Sequence, residues 1–161
     1  MQHAQPQTSD RTRILSAALD DRFIVKRATE VEHERIIAMR DLSAVGHIAP
    51  VSGVPGPFAL TLSIHEQRLL VTLKAESASE VIQLPLAPFR GVIKDYFLMC
   101  ESYYAALAHE GAYRIQTLDM ARRATHNEGA ELLAREMARK AALDTATARA
   151  LFTLICVLHL R

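Results

Sequence analysis

The spacing of the apolar residues changes within the chain, and this change restricts the folds that the chain can adopt. From Phe58 to Leu86, aliphatic residues alternate with polar ones in three runs, which predicts an antiparallel meander of three strands. Ile14–Leu19 predicts a short fourth strand. Elsewhere the apolar residues recur at helical spacing. The sequence therefore predicts an α+β fold, in which a small antiparallel sheet of three to four strands packs against a layer of four to five helices.

The predicted helices have recognisable ends. The segment EVEHERIIAMRDL is amphipathic, and Gly46 ends it before a loop that contains several prolines. Pro88 opens a long helix, because proline suits the first helical turn, and this helix ends at Gly111. Residues 113–141 are also helical in pattern. Asp144 caps a last helix that is apolar nearly all round, which predicts that this helix lies at the centre of the helical layer.

Length, charge and cysteine content limit the class of protein. The chain has 161 residues and a formal net charge of +1, which predicts one domain over residues 14–161 after a disordered polar arm over residues 1–13. The balanced charge argues against nucleic-acid binding. Cys100 and Cys156 lie in separate apolar runs, which is typical of buried thiols in the cytoplasm. We expect no membrane span, metal or cofactor, because no apolar run reaches the about 20 residues that cross a bilayer and no ligand motif appears.

Residues 119–131 carry the densest set of chemically active side chains. One helix face holds four of them at positions i, i+3, i+4 and i+7, namely Asp119, Arg122, Arg123 and His126. Beyond Gly129 the apolar residues occupy the side that these polar residues held. In one interpretation a single helix is covered on different faces at its two ends. In the other, the helix breaks and restarts, with Thr125 and Glu128 forming a capping box.

A restarted helix would create an anion site. Its first turn would expose unpaired backbone N–H groups around His126 and Asn127, next to two guanidiniums. Arg90 and Lys94 stand one turn apart on the preceding helix, and a bound anion would relieve their repulsion. The candidate ligand-binding residues are Arg90, Lys94, Arg122, Arg123, His126 and Asn127. Two observations oppose this prediction. The Glu128 carboxylate can itself accept hydrogen bonds from the same backbone N–H groups. The i, i+4 spacing of Asp119 and Arg123 is also typical of an ordinary surface ion pair.

Three functions are consistent with these residues. The leading hypothesis is a non-enzymatic cytoplasmic binding or regulatory module that recognises a small anion or a protein partner and forms a homo-oligomer. The second is an enzyme in which His126 acts as general acid or base on an anionic substrate, oriented by Asp119 or Glu128. The third is phosphotransfer through His126, with the neighbouring arginines stabilising phosphohistidine.

Several strings of the chain resemble a known family. They are PFRGVIKDYFLMCESYY, IQTLDMARRATHNEGAELL and LFTLICVLH, together with the N-terminal helix EVEHERIIAMRDL. In these strings the chain resembles uncharacterised protein family 0262, a group of bacterial proteins of about this length. The resemblance runs from about Ile14 to the C-terminus. It implies no activity, since none is assigned to the family, and so the functional argument depends on the residues themselves.

Overall fold

The computed structural model describes residues 8–20 and 29–159 and confirms the α+β class. In chain order its elements are α1 Thr8–Thr12, β1 Ile14–Leu19, α2 Thr29–Val45, β2 Ile48–Pro50, β3 Phe58–His65, β4 Arg68–Lys74, β5 Ser79–Pro85, a short 3₁₀ helix Ala87–Phe89, α3 Arg90–His109, α4 Ala112–Met137, β6 Ala141–Leu143 and α5 Thr145–His159. The predicted arm of residues 1–13 lies partly outside the described residues, and its described part contains α1.

The main sheet has four strands in the order β1-β3-β4-β5. Strands β3, β4 and β5 form the predicted antiparallel meander, with Leu60 opposite Leu73 and Val71 opposite Ile82. Strand β1 joins β3 in parallel, so the sheet is mixed rather than wholly antiparallel. The reason is the connection, because the chain passes through α2 between β1 and β3 and such a crossover brings the next strand back in the same direction.

The helices pack on the sheet face that carries the alternating aliphatic residues. Helix α5 is buried along most of its length and packs against both α2 and α4, as its apolar pattern predicts. The predicted cap is confirmed, since the Asp144 carboxylate accepts a hydrogen bond of 2.8 Å from the backbone N–H of Thr147. Helices α4 and α5 approach closely at Gly129, where any Cβ would overlap the ring of Phe152.

Helix α4 is continuous from Ala112 to Met137, so the interpretation in which the helix breaks and restarts is wrong. The hydroxyl of Thr125 donates to the carbonyl of Ala121 at 3.0 Å, inside the helix, so the predicted capping box with Glu128 is wrong. No new helix start exists there, and the backbone N–H groups that the anion site required are engaged within α4.

Two further elements differ from prediction. Strands β2 and β6 form a second, two-stranded antiparallel sheet with Ile48 opposite Leu143, where the sequence predicts only loop and helix. Pro88 lies in the 3₁₀ turn, and α3 begins at Arg90. Within residues 8–20 and 29–159, no helix combines the length and the hydropathy needed to span a membrane.

Candidate functional site

The core-facing side of α4 is apolar at both ends and polar in the middle. Leu118 and Leu133 are buried, and the residues that continue their stripe between them are Arg122, His126 and Gly129. The side chain of Arg122 is only 18% exposed. The change of face in the sequence pattern therefore reflects a polar patch that faces the neighbouring helices, and not a change in which side of α4 is covered.

Five residues from three helices form what we call the interhelical cluster: Glu34, Tyr96, Tyr104, Asp119 and Arg122. The Arg122 guanidinium donates from Nη2 to Asp119 Oδ1 at 2.7 Å, and its Nη1 lies 3.8 Å from Glu34 Oε1. The hydroxyl of Tyr104 donates to the same oxygen of Glu34 at 2.6 Å. These contacts join α2, α3 and α4 through charged groups.

The two predicted arginines share one carboxylate but differ in burial. Arg123 Nε lies 3.0 Å from Asp119 Oδ2, and its side chain is 71% exposed. Arg122 is also covered by the ring of Tyr103, whose centroid lies 4.7 Å from the guanidinium carbon. Burial alone would lower the pKa of Arg122, but the hydrogen bond to Asp119 and the nearby acidic groups outweigh it, so the pKa is raised and the guanidinium stays charged.

Two buried donors of the cluster lack an acceptor. Among the residues that the structure describes, the hydroxyl of Tyr96 and the Nε of Arg122 are the buried side-chain atoms without a hydrogen-bond partner. Tyr96 is 2% exposed, and burial, together with the neighbouring thiols, raises its pKa well above the usual value for tyrosine. The Tyr96 hydroxyl interacts with the thiol of Cys100, which is a poor acceptor, and burial raises the pKa of this thiol to about 11 although the interaction with Tyr96 lowers it.

His126 is held between α4 and α5. A carbonyl can only accept, so the 2.9 Å contact between Nε2 and the carbonyl oxygen of Arg149 places the proton on Nε2. The hydroxyl of Thr153 lies 2.9 Å from the same nitrogen. The imidazole stacks against the ring of Tyr96 with centroids 5.2 Å apart. Burial lowers the pKa of His126, and the charges of Arg122 and Arg149 lower it further, so the ring is neutral at pH 7.

The remaining candidate residues do not join the cluster. Three of them are exposed, namely Arg90, Lys94 and Glu128. Arg90 donates to the side chain of Gln67 in the turn between β3 and β4, and Asn127 accepts a hydrogen bond of 2.7 Å from Arg149. The structure therefore brings Asp119, Arg122 and Arg123 together and turns Arg90 toward the sheet. The predicted orientation of His126 by Asp119 or Glu128 is wrong, because the imidazole contacts Arg149 and Thr153 instead.

Sequence reasoning missed three members of the cluster: Glu34, Tyr96 and Tyr104. A signal for Glu34 exists, because it precedes the buried residues Ala38 and Leu42 by four and eight positions and so shares their face. Within the described ranges no group of three or more His, Cys, Asp or Glu side chains could hold a metal ion. A groove of about 620 Å³ opens elsewhere, between the loop at Pro55 and the β4–β5 turn, and contains none of the candidate residues.

Comparison with known proteins identifies the family. The family model described as "Uncharacterised protein family (UPF0262)" matches residues 11–161. A UPF0262 protein of Paramagnetospirillum magneticum is 42% identical over 153 residues, which cover 94% of this chain and 98% of the relative. A UPF0262 protein of Azorhizobium caulinodans is 45% identical over 158 residues, covering 95% and 97%. The chain therefore belongs to UPF0262, as the resemblance predicts, and no solved structure matches it.

Proposed function

We propose that this member of UPF0262 is a non-enzymatic binding module, and that its ligand is a small oxyanion held between α3 and α4 by the Tyr96 hydroxyl and Arg122 Nε. The observation that supports the proposal is that both are buried donors without a hydrogen-bond partner among the described residues. Leaving a buried hydroxyl without an acceptor costs about 1–3 kcal/mol, and phenylalanine would fill the same space without that cost. An acceptor oxygen supplied by a ligand would satisfy both groups.

The charges around the cluster favour a ligand with one negative charge. The guanidiniums of Arg122 and Arg123 pair with the carboxylates of Glu34 and Asp119, whereas that of Arg149 binds Asn127 beside His126 and leaves one positive charge near this group. His126 adds none, because its lowered pKa keeps it neutral. A monoanion such as a carboxylate would balance the group, whereas a dianion would leave excess negative charge in a half-buried place.

The contacts of His126 favour binding over the two chemical alternatives. A general acid or base and a phosphate acceptor both need an imidazole nitrogen that substrate can approach. The Nε2 atom of His126 is engaged with Arg149 and Thr153, and the ring stacks on Tyr96. The free lone pair is therefore on Nδ1, and the lowered pKa of the ring makes this nitrogen a weak base. We therefore assign His126 a positioning role, in which it holds the Tyr96 ring beside Arg122. The two buried free cysteines are in keeping with a reducing compartment such as the cytoplasm.

The experiment measures thermal unfolding of the full chain with sodium acetate as probe, against sodium chloride at equal ionic strength. Acetate at ten times its dissociation constant should stabilise the wild type by about 1.4 kcal/mol, or a few °C. Tyr96→Phe should abolish the shift, because one of the two donors is gone. Tyr113→Phe, at an 86% exposed tyrosine, should keep it.

Two results would contradict the proposal. The first is that neither acetate nor phosphate, titrated in parallel, stabilises the wild type more than chloride does. The second is that acetate stabilises Tyr96→Phe as strongly as the wild type. Isothermal titration of acetate into both proteins checks the same point without relying on unfolding.

A further inference from the structure

The two carboxylates of the interhelical cluster lie close to the proposed ligand. The side chains of Glu34 and Asp119 are 18% and 23% exposed, whereas the Tyr96 hydroxyl and Arg122 Nε are buried. Both carboxylates pair with the guanidinium of Arg122, so an anion at its Nε lies near each of them. Their negative charges therefore affect which anion the site can hold.

The two carboxylates differ in how far their charge is neutralised. Asp119 accepts a hydrogen bond of 2.7 Å from Arg122 Nη2 and lies 3.0 Å from Arg123 Nε, so two guanidiniums offset its charge. Glu34 lies 3.8 Å from Arg122 Nη1, which is beyond hydrogen-bond distance, and its close partner is the uncharged hydroxyl of Tyr104. The charge of Glu34 is therefore the less compensated of the two.

The charge of Glu34 also acts at the buried end of the cluster. Burial is the main cause of the raised pKa of Tyr96, and the charge of Glu34 raises this pKa further. For Cys100, one turn along α3, burial is again the main cause of the raised pKa, and Glu34 again contributes. An anion bound beside the Tyr96 hydroxyl would experience the same repulsion from Glu34.

We propose that Glu34 determines the charge of the anion that the site accepts, by admitting monoanions and excluding dianions. This inference rests on the ligand proposed above for Tyr96 and Arg122. Electrostatic repulsion is proportional to the charge of the ligand, so Glu34 opposes a dianion twice as strongly as a monoanion. Two like charges about 6 Å apart, at an effective dielectric constant of about 40, lower affinity about tenfold, and doubling one charge makes the loss about a hundredfold.

The experiment compares two probes of similar shape and different charge, methanesulfonate as monoanion and sulfate as dianion. Isothermal titration measures their affinities for the full-length wild type and for Glu34→Gln at equal ionic strength, because salt screens the repulsion. Glutamine keeps an oxygen that accepts the hydrogen bond from Tyr104. Glu34→Gln should bind methanesulfonate about tenfold and sulfate about a hundredfold more tightly than the wild type. A substitution that only loosened the helices would change both affinities by the same factor.

Two further variants complete the experiment. Glu66→Gln changes the net charge equally, at a side chain that is 84% exposed in the turn between β3 and β4, and should leave both affinities unchanged. Tyr104→Phe removes the donor that holds Glu34 in place, and should raise the affinity for sulfate more than that for methanesulfonate. It serves as the test if Glu34→Gln fails to fold.

The outcomes separate this inference from the proposed function. If acetate binds the wild type but Glu34→Gln gains nothing, or gains the same factor for both probes, the role of Glu34 is overturned and the proposed ligand stands. If acetate, methanesulfonate and sulfate bind neither protein, both proposals are overturned.

Discussion

Replacing Tyr96 by phenylalanine should make the protein more stable. The hydroxyl of Tyr96 is buried, at 2% residue exposure, and has no acceptor among the described residues apart from the poor one offered by the Cys100 thiol. The substitution removes only this oxygen, so ring packing against Phe152 and His126 is kept. Since a buried unsatisfied hydroxyl costs about 1–3 kcal/mol, we expect a gain of about 1 kcal/mol, or 2–4 °C in Tm.

The same substitution at Tyr104 should have the opposite sign. Its hydroxyl donates to the carboxylate of Glu34 at 2.6 Å, and a hydrogen bond to a charged group contributes about 1.5–3 kcal/mol. Tyr104 is half-buried, so we expect a loss of about 1.5 kcal/mol, at the lower end of that range. Tyr113 is 86% exposed, and Tyr113→Phe should change stability by less than about 0.5 kcal/mol.

Urea unfolding followed by circular dichroism measures all three free energies on one chain. The order of stability should be Tyr96→Phe above Tyr113→Phe above Tyr104→Phe. The reasoning fails if Tyr96→Phe lowers the free energy of unfolding as much as Tyr104→Phe does, because the Tyr96 hydroxyl would then make a stabilising hydrogen bond in the native protein.

The remaining predictions concern other parts of the helical layer. His126 has a lowered pKa in the folded state, so the unfolded chain binds the proton first as pH falls below 6.5. The free energy of unfolding should therefore drop by up to about 1.4 kcal/mol per pH unit below that pH. Urea titrations at several pH values measure this slope, and His126→Gln should flatten it. Gly129→Ala should lower the free energy of unfolding by about 1–3 kcal/mol, because the new methyl group overlaps the ring of Phe152, and a normal Tm would refute the close approach of α4 and α5. Arg122→Gln should lower the free energy of unfolding by about 2–3 kcal/mol, whereas Arg123→Gln should lower it by less than about 0.5 kcal/mol, although both guanidiniums bind the same carboxylate. Equal losses would show that burial does not make the Arg122 ion pair stronger than the Arg123 ion pair.

The elements that sequence reasoning predicted are those determined by local pattern. The alternation of aliphatic residues in β3–β5 sets both the strands and the face that each buries, and the Asp144 cap depends on a partner only three residues away. The pairing of Ile48–Pro50 with Ala141–Leu143 joins three-residue strands about ninety positions apart. Strands of this length have no period to detect, and their pairing depends on where α2 and α5 place the chain.

Sequence reasoning predicted several residues of the candidate site, but not the helices that these residues face. The spacing of Asp119, Arg122 and His126 correctly places them near one another on α4. Amphipathic reasoning assigns charged residues to the solvent side, and here they face α3 and α5 instead. Which donors lack an acceptor depends on the relative positions of three helices to within an ångström, and a sequence pattern does not contain that information.

The polar middle of α4 needs an explanation beyond stability. Leucine in place of Arg122 would continue the stripe from Leu118 to Leu133, and apolar replacements of buried ion pairs are often neutral or stabilising when the whole pair is replaced. Polar groups in a core can instead serve to select one packing arrangement, and the pairs that Arg122 forms with Asp119 and Glu34 fit that role. The hydroxyl of Tyr96, which lacks a hydrogen-bond partner among residues 8–20 and 29–159, does not fit that role, because selectivity comes from hydrogen bonds that are made. A donor that is buried and lacks an acceptor among the described residues lowers stability and selects no packing arrangement among them, and this is the reason for our proposal that a ligand supplies the acceptor.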